Sequence, residues 1–588
     1  MTAKTRYTSE NLPEFLSTNF DYVVVGGGTT GLLVAARLTE NPNVQVGVLE
    51  AGGSKANDPN VDRPERSANT LHNPEYDWIF HSTPQTGNND RVHHVPRGRM
   101  LGGSSGINFM AYIRPAAEDI DLWGKMGNEG WSWNDLMPYY LKSERLHGTD
   151  EKEICPERSV GKDPVGSHGN SGPIITSLPP GKPPIEDGMI AAFDETSGSS
   201  RAEDPYGGKP LGLYDHVSTV DPEDGTRSYA ASAFLRPHEA RKNLKVLTEA
   251  TACKIIHNQA IGTATGIEFL YQGALHRVFP SKEIILAAGS IQTPQILEIS
   301  GIGDPKILQA AGIPCTKELP DVGNNLCEHP MTSLTYAVNE EPSIHSGVSM
   351  IAFLPYRSLV SHDELEEVVA QVEQVASLSE VERHAIVSRL RDPMSGAVQF
   401  NGIAAYLDVE RGYANRRNLF PDTSGHEHTY YTFLVTIAST LSRGSTHITS
   451  SDPHATPDID LGLLNEEADV SLLAAGLEFA DRVFSSGHVS ERVAKRAVPT
   501  VNVDLCDRDD GREFARDWTT SFNHILGTCA MGRVVDERLR VKEMSGLRIV
   551  DASVIPTQIS GNVMATVYAV AERAADLIKE DFEIGDSA

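Results

Sequence analysis

Residues 21–28 read DYVVVGGG, a short continuous β-branched run that ends in glycine. Such a run is typical of a strand buried on both faces of a parallel sheet. Gly26, Gly28 and Gly31 then satisfy G-x-G-x-x-G. The first glycine permits the tight turn, the second lets a pyrophosphate reach the backbone, and the third lets helix and strand pack closely. TTGLLVAARLTEN follows with helical spacing, its apolar contacts supplied by Leu32, Leu33, Ala36 and Leu38. The free N–H groups of such a helix attract phosphate. A second strand, VQVGVLEAGG, ends at Glu50, placed to accept hydrogen bonds from ribose hydroxyls. A lone glycine motif is weak evidence. Strand, turn, helix, strand and acid in this order predict a dinucleotide site, without separating a flavin from a nicotinamide nucleotide.

The rest of the chain narrows the setting. With 588 residues, 39% of them hydrophobic, it can bury a large core. A formal net charge of −29 repels nucleic acid and anionic membrane surfaces, so neither is expected as a partner. MTAKTRYTSENLPEF lacks the apolar centre of a secretory signal. No apolar run approaches the ~18–20 residues of a membrane span, and a cytoplasmic protein is expected. Six cysteines, at positions 155, 253, 315, 327, 506 and 529, form no C-x-x-C pair and read as free thiols.

No internal repeat or low-complexity tract breaks the chain. Residues 151–215 are rich in Gly, Pro and Ser and read as long surface excursions. Residues 362–391 place Leu, Val and Ile at helical spacing among dense charge, which predicts an amphipathic helical pair inserted on the surface. Strand-like alternation recurs at 244–256, 263–280 and 429–450.

Four further stretches bear on the nucleotide. RGRMLGGSSGINFMAYIRP, residues 97–115, offers backbone donors and little bulk, so it can lie flat against an extended ligand. AAGSIQTPQILEISGIG, residues 287–303, reads as a strand end and then a helix with Pro294 near its first turn. The others are SFNHILGTCAMG at 521–532 and LRIVDASVIPTQISGNVMATVYAVAERAADLIKE at 547–580. Together with VGNNLCEHP at 322–330, these stretches resemble the glucose–methanol–choline (GMC) family of FAD-dependent oxidoreductases, from about residue 18 to residue 580. The family more often has Asp in place of Glu328.

The resemblance implies FAD and a two-lobed α/β fold. A Rossmann-like FAD-binding domain is expected from the discontinuous segments 18–150, 236–332 and 525–580. A substrate-binding domain with a large antiparallel sheet is expected from 151–235 and 333–524, with the helical insertion near 360–392. By the same resemblance Gly26, Gly28, Thr29, Thr30 and Gly31 would cradle the pyrophosphate, and Glu50, with Ala51 beside it, would hold the adenosine ribose. Gly103, Ser104, Asn108, Phe109, Met110 and Ala111 would run beside the ribityl chain and flavin ring, with Trp78 near the cofactor. Ala252 would contact adenine; Asp551 and Ala552 the pyrophosphate and ribityl; Val563 and Met564 the pyrimidine edge of the ring. Some relatives attach FAD through a His inside the Gly-Gly-Ser loop. That position resembles Gly106 here, so noncovalent FAD is expected.

Of twenty histidines most must be ordinary. His93 and His94 adjoin a basic loop, and His426 and His428 would share one face of a strand. Two such ligands without a third carboxylate or Cys do not make a metal site, and none is expected. His524 precedes a small-residue stretch able to pack under a flat ring. In the resembled family this His is the catalytic base facing the flavin N5. Asn562 stands at the start of a helix whose apolar stripe is Val563, Val567, Val570, Ala574, Leu577 and Ile578. It reads locally as an N-cap, and by resemblance as the second active-site residue.

The chemistry implied is oxidation of an alcohol to a carbonyl: His524 takes the hydroxyl proton, flavin N5 accepts the hydride, and electrons pass to O₂ or another acceptor. Two other readings stand beside it. One keeps the fold but runs lyase, cyclase or light-driven decarboxylase chemistry on the flavin; the other is a non-enzymatic flavoprotein. The substrate pocket is expected from loops around 333–355 and 395–435 and from the approach to His524. Their aromatic and amide residues suit aromatic or aliphatic alcohols more than sugars.

Overall fold

The computed structural model describes residues 11–147, 164–179, 181, 183–198, 201–258, 260, 262–340 and 348–586. Two sheets organise them. The first has five parallel strands in the order Leu244–Leu247, Val46–Leu49, Tyr22–Val25, Glu283–Leu286 and Leu547–Ile549. Its central strand, Tyr22–Val25, is buried along its whole length, as its unbroken β-branched run requires. Ligands in such sheets bind beyond the carboxyl ends of the strands. At that edge lie Gly26, Glu50, Ala287 and Asp551.

The turn after the central strand is sterically determined. Gly26 has φ +105°, and a Cβ there would sit 2.4 Å from the Ala287 carbonyl oxygen. A Cβ on Gly31 would sit 1.9 Å from the Gly26 carbonyl oxygen. The helix Gly31–Leu38 can therefore reach the strand only with glycine at its first position.

The second sheet is antiparallel, in the order Val348–Leu354, Val398–Ile403, Thr429–Ile437, Pro330–Val338 and Val493–Val498, with Thr520–Ser521 also pairing to Pro330–Val338. The helix Glu467–Ser485 covers one face. Gly476 allows the approach, since a Cβ there would lie 2.5 Å from Val435 Cγ1. Phe193, Phe400, Phe433, Phe479 and Phe484 pack edge to face or tilted in that interface, the geometry the ring quadrupole favours.

The helical pair forms at His362–Gln374 and Glu380–Arg391, with Ser361 and Ser379 accepting N-terminal amides as caps. It is not a loose appendage. Leu365, Val368, Val369 and Val372 join the core under Glu467–Ser485, and buried Arg389 pairs with Asp119 and Glu118.

Several sequence expectations need correction. Residues 244–256 form two strands, Leu244–Leu247 and Ala250–Asn258, because Glu249 turns at φ +58°. Residues 263–280 fold as a hairpin, Thr263–Tyr271 and Ala274–Val278. The strand from 429 stops at Ile437 and a separate one runs Ser445–His447. Of the 151–215 stretch, residues 151–163, 180, 182 and 199–200 lie outside the described residues. The rest is not all surface: the helix Ile185–Ser197 buries Ile185, Met189, Ala192 and Phe193 in the second core. Among the described residues no helix is long and apolar enough to cross a membrane.

Gly31→Ala is expected to destabilise the protein by about 3 kcal/mol or more, since the clash is with backbone that cannot repack. An unchanged thermal unfolding midpoint would contradict this reading of the turn.

Candidate active site

A cavity of about 590 Å³ runs from the carboxyl edge of the parallel sheet to the uncovered face of the antiparallel one, a size typical of cofactor and ligand sites. Its walls include Gly26, Gly28, Thr29, Thr30, Glu50, Ala51, Trp78, Gly103, Ser104, Asn108, Phe109, Met110, Ala111, Ala252, Asp551, Ala552, Val563, Met564, His524 and Asn562. Of the residues expected from sequence, Gly31 alone is not on the wall; it packs beneath, against Gly26.

At one end the backbone is laid bare. The nearest atoms to a Cβ on Gly28 would be 3.9 Å away, so the protein itself leaves that space open. Gly102 N donates to the Gly27 carbonyl at 2.8 Å, and a Cβ on Gly103 would meet Gly28 Cα at 2.8 Å. The Gly-Gly-Ser-Ser-Gly loop thus docks onto the nucleotide turn. Each oxygen of Glu50 accepts one backbone amide, from Gly27 at 2.8 Å and Gly52 at 2.7 Å. Burial pushes its carboxyl up to about 7, while those amides pull the other way. Each oxygen keeps a lone pair for further donors.

Asp551 ties the strand ends together, accepting from Gly289 N, Thr293 Oγ1, Ser553 N and Ser553 Oγ. The N-terminal residues of three helices, Gly31–Leu38, Gly289–Ile299 and Met564–Asp586, adjoin the cavity. Their positive ends favour an anion there. Pro294 lies inside the second of these helices, not in its first turn. A mid-helix proline frees the carbonyl four residues back; that carbonyl, of Ser290, accepts from Thr528 Oγ1 at 2.6 Å.

Sequence reasoning missed Arg227. It is buried and holds the Asn108 loop by bonds to Ser105 O, Asn108 O and Asn108 Oδ1. The hydrophobic end of the cavity is lined by Phe109, Met331, Ile403, Leu419, Phe420 and Leu434. Phe109 and Phe420 meet with centroids 5.2 Å apart. His426 and His428 precede the strand Thr429–Ile437 and do not share its face; His426 Nδ1 meets Tyr430 OH.

His524 stands on the wall between the two ends. The residue before it, Asn523, has φ +66° and donates its amide to Ser521 Oγ at 3.0 Å. Asn is among the few residues that adopt this conformation readily. Arg97 Nη1 donates to the Asn523 carbonyl, and the His524 amide donates to Glu328 Oε1 at 3.0 Å. The imidazole lies against Phe522, centroids 4.5 Å apart. Its Nδ1 is 2.9 Å from His329 Nδ1, and its Nε2 is 3.3 Å from Asn562 Nδ2. Burial, with His329 and Arg97 adding to it, holds the His524 imidazole well below its usual pKa, so the ring is neutral. Burial pushes the Glu328 carboxyl up to about 7, opposed by Arg97 and Arg416.

Asn562 is not the helix cap. The helix begins at Met564, and Val563 supplies the carbonyl for Val567 N. The amide of Asn562 is committed to His524 instead. Its Oδ1 is buried with no partner among the described residues, an acceptor held for something the protein does not provide. Ser560, two residues earlier, is fixed by donating its N–H and Oγ–H to buried Asp119.

A glycine turn, a buried acid, helix N-termini and a neutral imidazole beside an amide thus share one cavity. The GMC oxidoreductase family models match residues 20–331 and 440–571, and the chain belongs to that family of FAD-dependent oxidoreductases. It is 42% identical to dehydrogenase mpl7 of Monascus purpureus, over 97% of this chain and 98% of that one. Among solved structures, an FAD-dependent oxidoreductase from Chaetomium thermophilum superposes with a TM-score of 0.84 at 27% identity, covering 96% of this chain and 100% of that one. A fungal aryl-alcohol oxidase gives 0.78 at 25% identity, over 96% and 99%.

Gly28→Ala separates folding from binding. A Cβ there meets nothing in the protein but fills the open cradle. The variant is expected to unfold at the parental temperature and to lose FAD affinity by ~10-fold or more (about 1.4 kcal/mol), read by fluorescence titration of the FAD-free protein. Parental affinity would contradict the cradle.

Proposed function

We propose that this protein oxidises an apolar primary alcohol to a carbonyl compound, with FAD bound noncovalently and His524 as the general base. The observation that carries it is a neutral imidazole whose Nε2 shares a cavity wall with the carboxamide of Asn562, at 3.3 Å. FAD, when bound, supplies the electrophilic ring that takes up the hydride equivalent. The protein's own groups handle the proton and the positioning. His524 Nε2 accepts the hydroxyl proton. Asn562 directs one N–H of its carboxamide at His524 and holds the substrate oxygen through the other, which donates and so does not compete for that proton. Phe109, Ile403, Leu419, Phe420 and Leu434 receive the apolar body of the alcohol and exclude water. The likeness to an aryl-alcohol oxidase supports this choice over a sugar. Gly26, Gly28, Thr29, Thr30 and Glu50 would hold the pyrophosphate and ribose, and Ser104, Asn108, Met564 and Asp551 the remainder.

Noncovalent attachment is supported by Gly106, which has no side chain to bond the flavin where some relatives carry an attaching His. Segments 18–150, 236–332 and 525–580 form the FAD-binding unit in this reading, and 151–235 with 333–524 the substrate unit.

His524→Ala is expected to keep bound FAD while slowing anaerobic flavin reduction by an alcohol by ~10²-fold or more, the contribution of a general base. Reduction at the parental rate would overturn the assignment; admitting air afterwards distinguishes oxygen from another acceptor. The pH dependence has a definite sign. A His with a depressed pKa stays unprotonated, and competent as a base, at every pH above that value. In a Glu328→Gln enzyme, which removes the neighbouring group near 7, kcat/KM should hold constant from pH 8 down to the ordinary His value of about 6.5. An acidic limb above 6.5 would contradict a buried neutral base.

A further inference from the structure

The His524 ring is gripped on the side away from Asn562, and the strands explain how. Cys327 and Leu526 form an antiparallel bridge, with N–H···O contacts of 3.0 and 3.1 Å. Two residues further along each strand come His329 and His524, separated by 195 positions in sequence. Their rings meet at 78° with centroids 5.2 Å apart and Nδ1 atoms 2.9 Å apart. His329 is fully buried, and burial holds its imidazole down to about 3.

Two neutral imidazoles joined through Nδ1 share a single proton. The backbone carbonyls of Ala438 and Ile559 lie near the His329 ring, but His329 Nε2 has no hydrogen-bond partner among the described residues, so the tautomer of the pair is set from the His524 side. At the far side of His524, Asn562 Nδ2 is a donor and requires a bare Nε2. That contact selects the tautomer with the His524 proton on Nδ1, directed at His329 Nδ1, since the proton on one ring nitrogen follows from the hydrogen bond the other makes.

We propose that His329 is a positioning residue that accepts the Nδ1 proton of His524 and thereby leaves Nε2 bare toward the substrate. This rests on His524 being the base. When Nε2 takes up a proton the ring becomes cationic, and an acceptor already seated at Nδ1 stabilises it, as the third group of a nucleophile–base–orienter set does.

The test compares the parent with His329→Leu, which removes the acceptor, and His329→Asn, whose carboxamide oxygen can replace it. ¹⁵N spectra of histidine-labelled, FAD-free protein report the tautomer, with His524 assigned from the signals absent in His524→Ala. The parent should show a protonated Nδ1 and a bare Nε2. His329→Leu should lose that pattern and, loaded with FAD, reduce ~100-fold more slowly, while His329→Asn recovers to within ~10-fold. A parental proton on Nε2, or equal slowing in the Leu and Asn variants, would overturn the role of His329 even if His524→Ala is slow. Should His524→Ala reduce normally, the base assignment fails and the role of His329 falls with it.

Discussion

The short pairing of residues 327–331 with 520–526 is the seam on which the rest depends. It joins the end of the nucleotide-side lobe to the start of the antiparallel sheet, since Pro330 both follows His329 and opens the strand that pairs Thr520–Ser521. Asn325 reinforces it by donating to the carbonyls of Gly527 and Pro556. Because the two chains cross here, the wall between the nucleotide cradle and the apolar pocket carries His524. An imidazole placed there faces both the glycine-turn end and the apolar end of the cavity.

Burial then decides the electrostatics. His329 and His524 are both inside and both neutral, because an imidazolium would have to be desolvated without a carboxylate in contact. The His524 amide, Arg97 and Arg416 all favour the ionised form of Glu328, yet desolvation outweighs them and pushes its carboxyl up to about 7. It acts as an anchor for the His524 amide rather than as a partner for the ring. Burial thus keeps the His524 imidazole uncharged to lower pH than an exposed histidine, whose pKa is about 6.5.

Local features were legible in the sequence. The glycine turn, Glu50 and the Gly-Gly-Ser-Ser-Gly loop are fixed by steric and hydrogen-bond needs within a few residues, and they stand where the motif put them. The resemblance supplied His524 and Asn562, and the cavity brings them within 3.3 Å. What escaped depends on distant chain. Asn562 reads as a cap until His524, 38 residues away in sequence, takes its amide. Pro294 belongs inside its helix because Thr528 satisfies the freed carbonyl. Arg227 and His329 act through loops 119 and 195 residues away. VGNNLCEHP was in view, but nothing in its spacing says which ring His329 meets.

The most direct check is a crystal structure of the flavin-bound protein. The expected result is an isoalloxazine ring with N5 on the His524 side, a reacting carbon's width from Nε2 (about 3–3.5 Å to a bound alcohol), and the pyrophosphate over Gly28. A ring lying away from His524 and Asn562, or a pyrophosphate displaced from the glycine turn, would contradict the account.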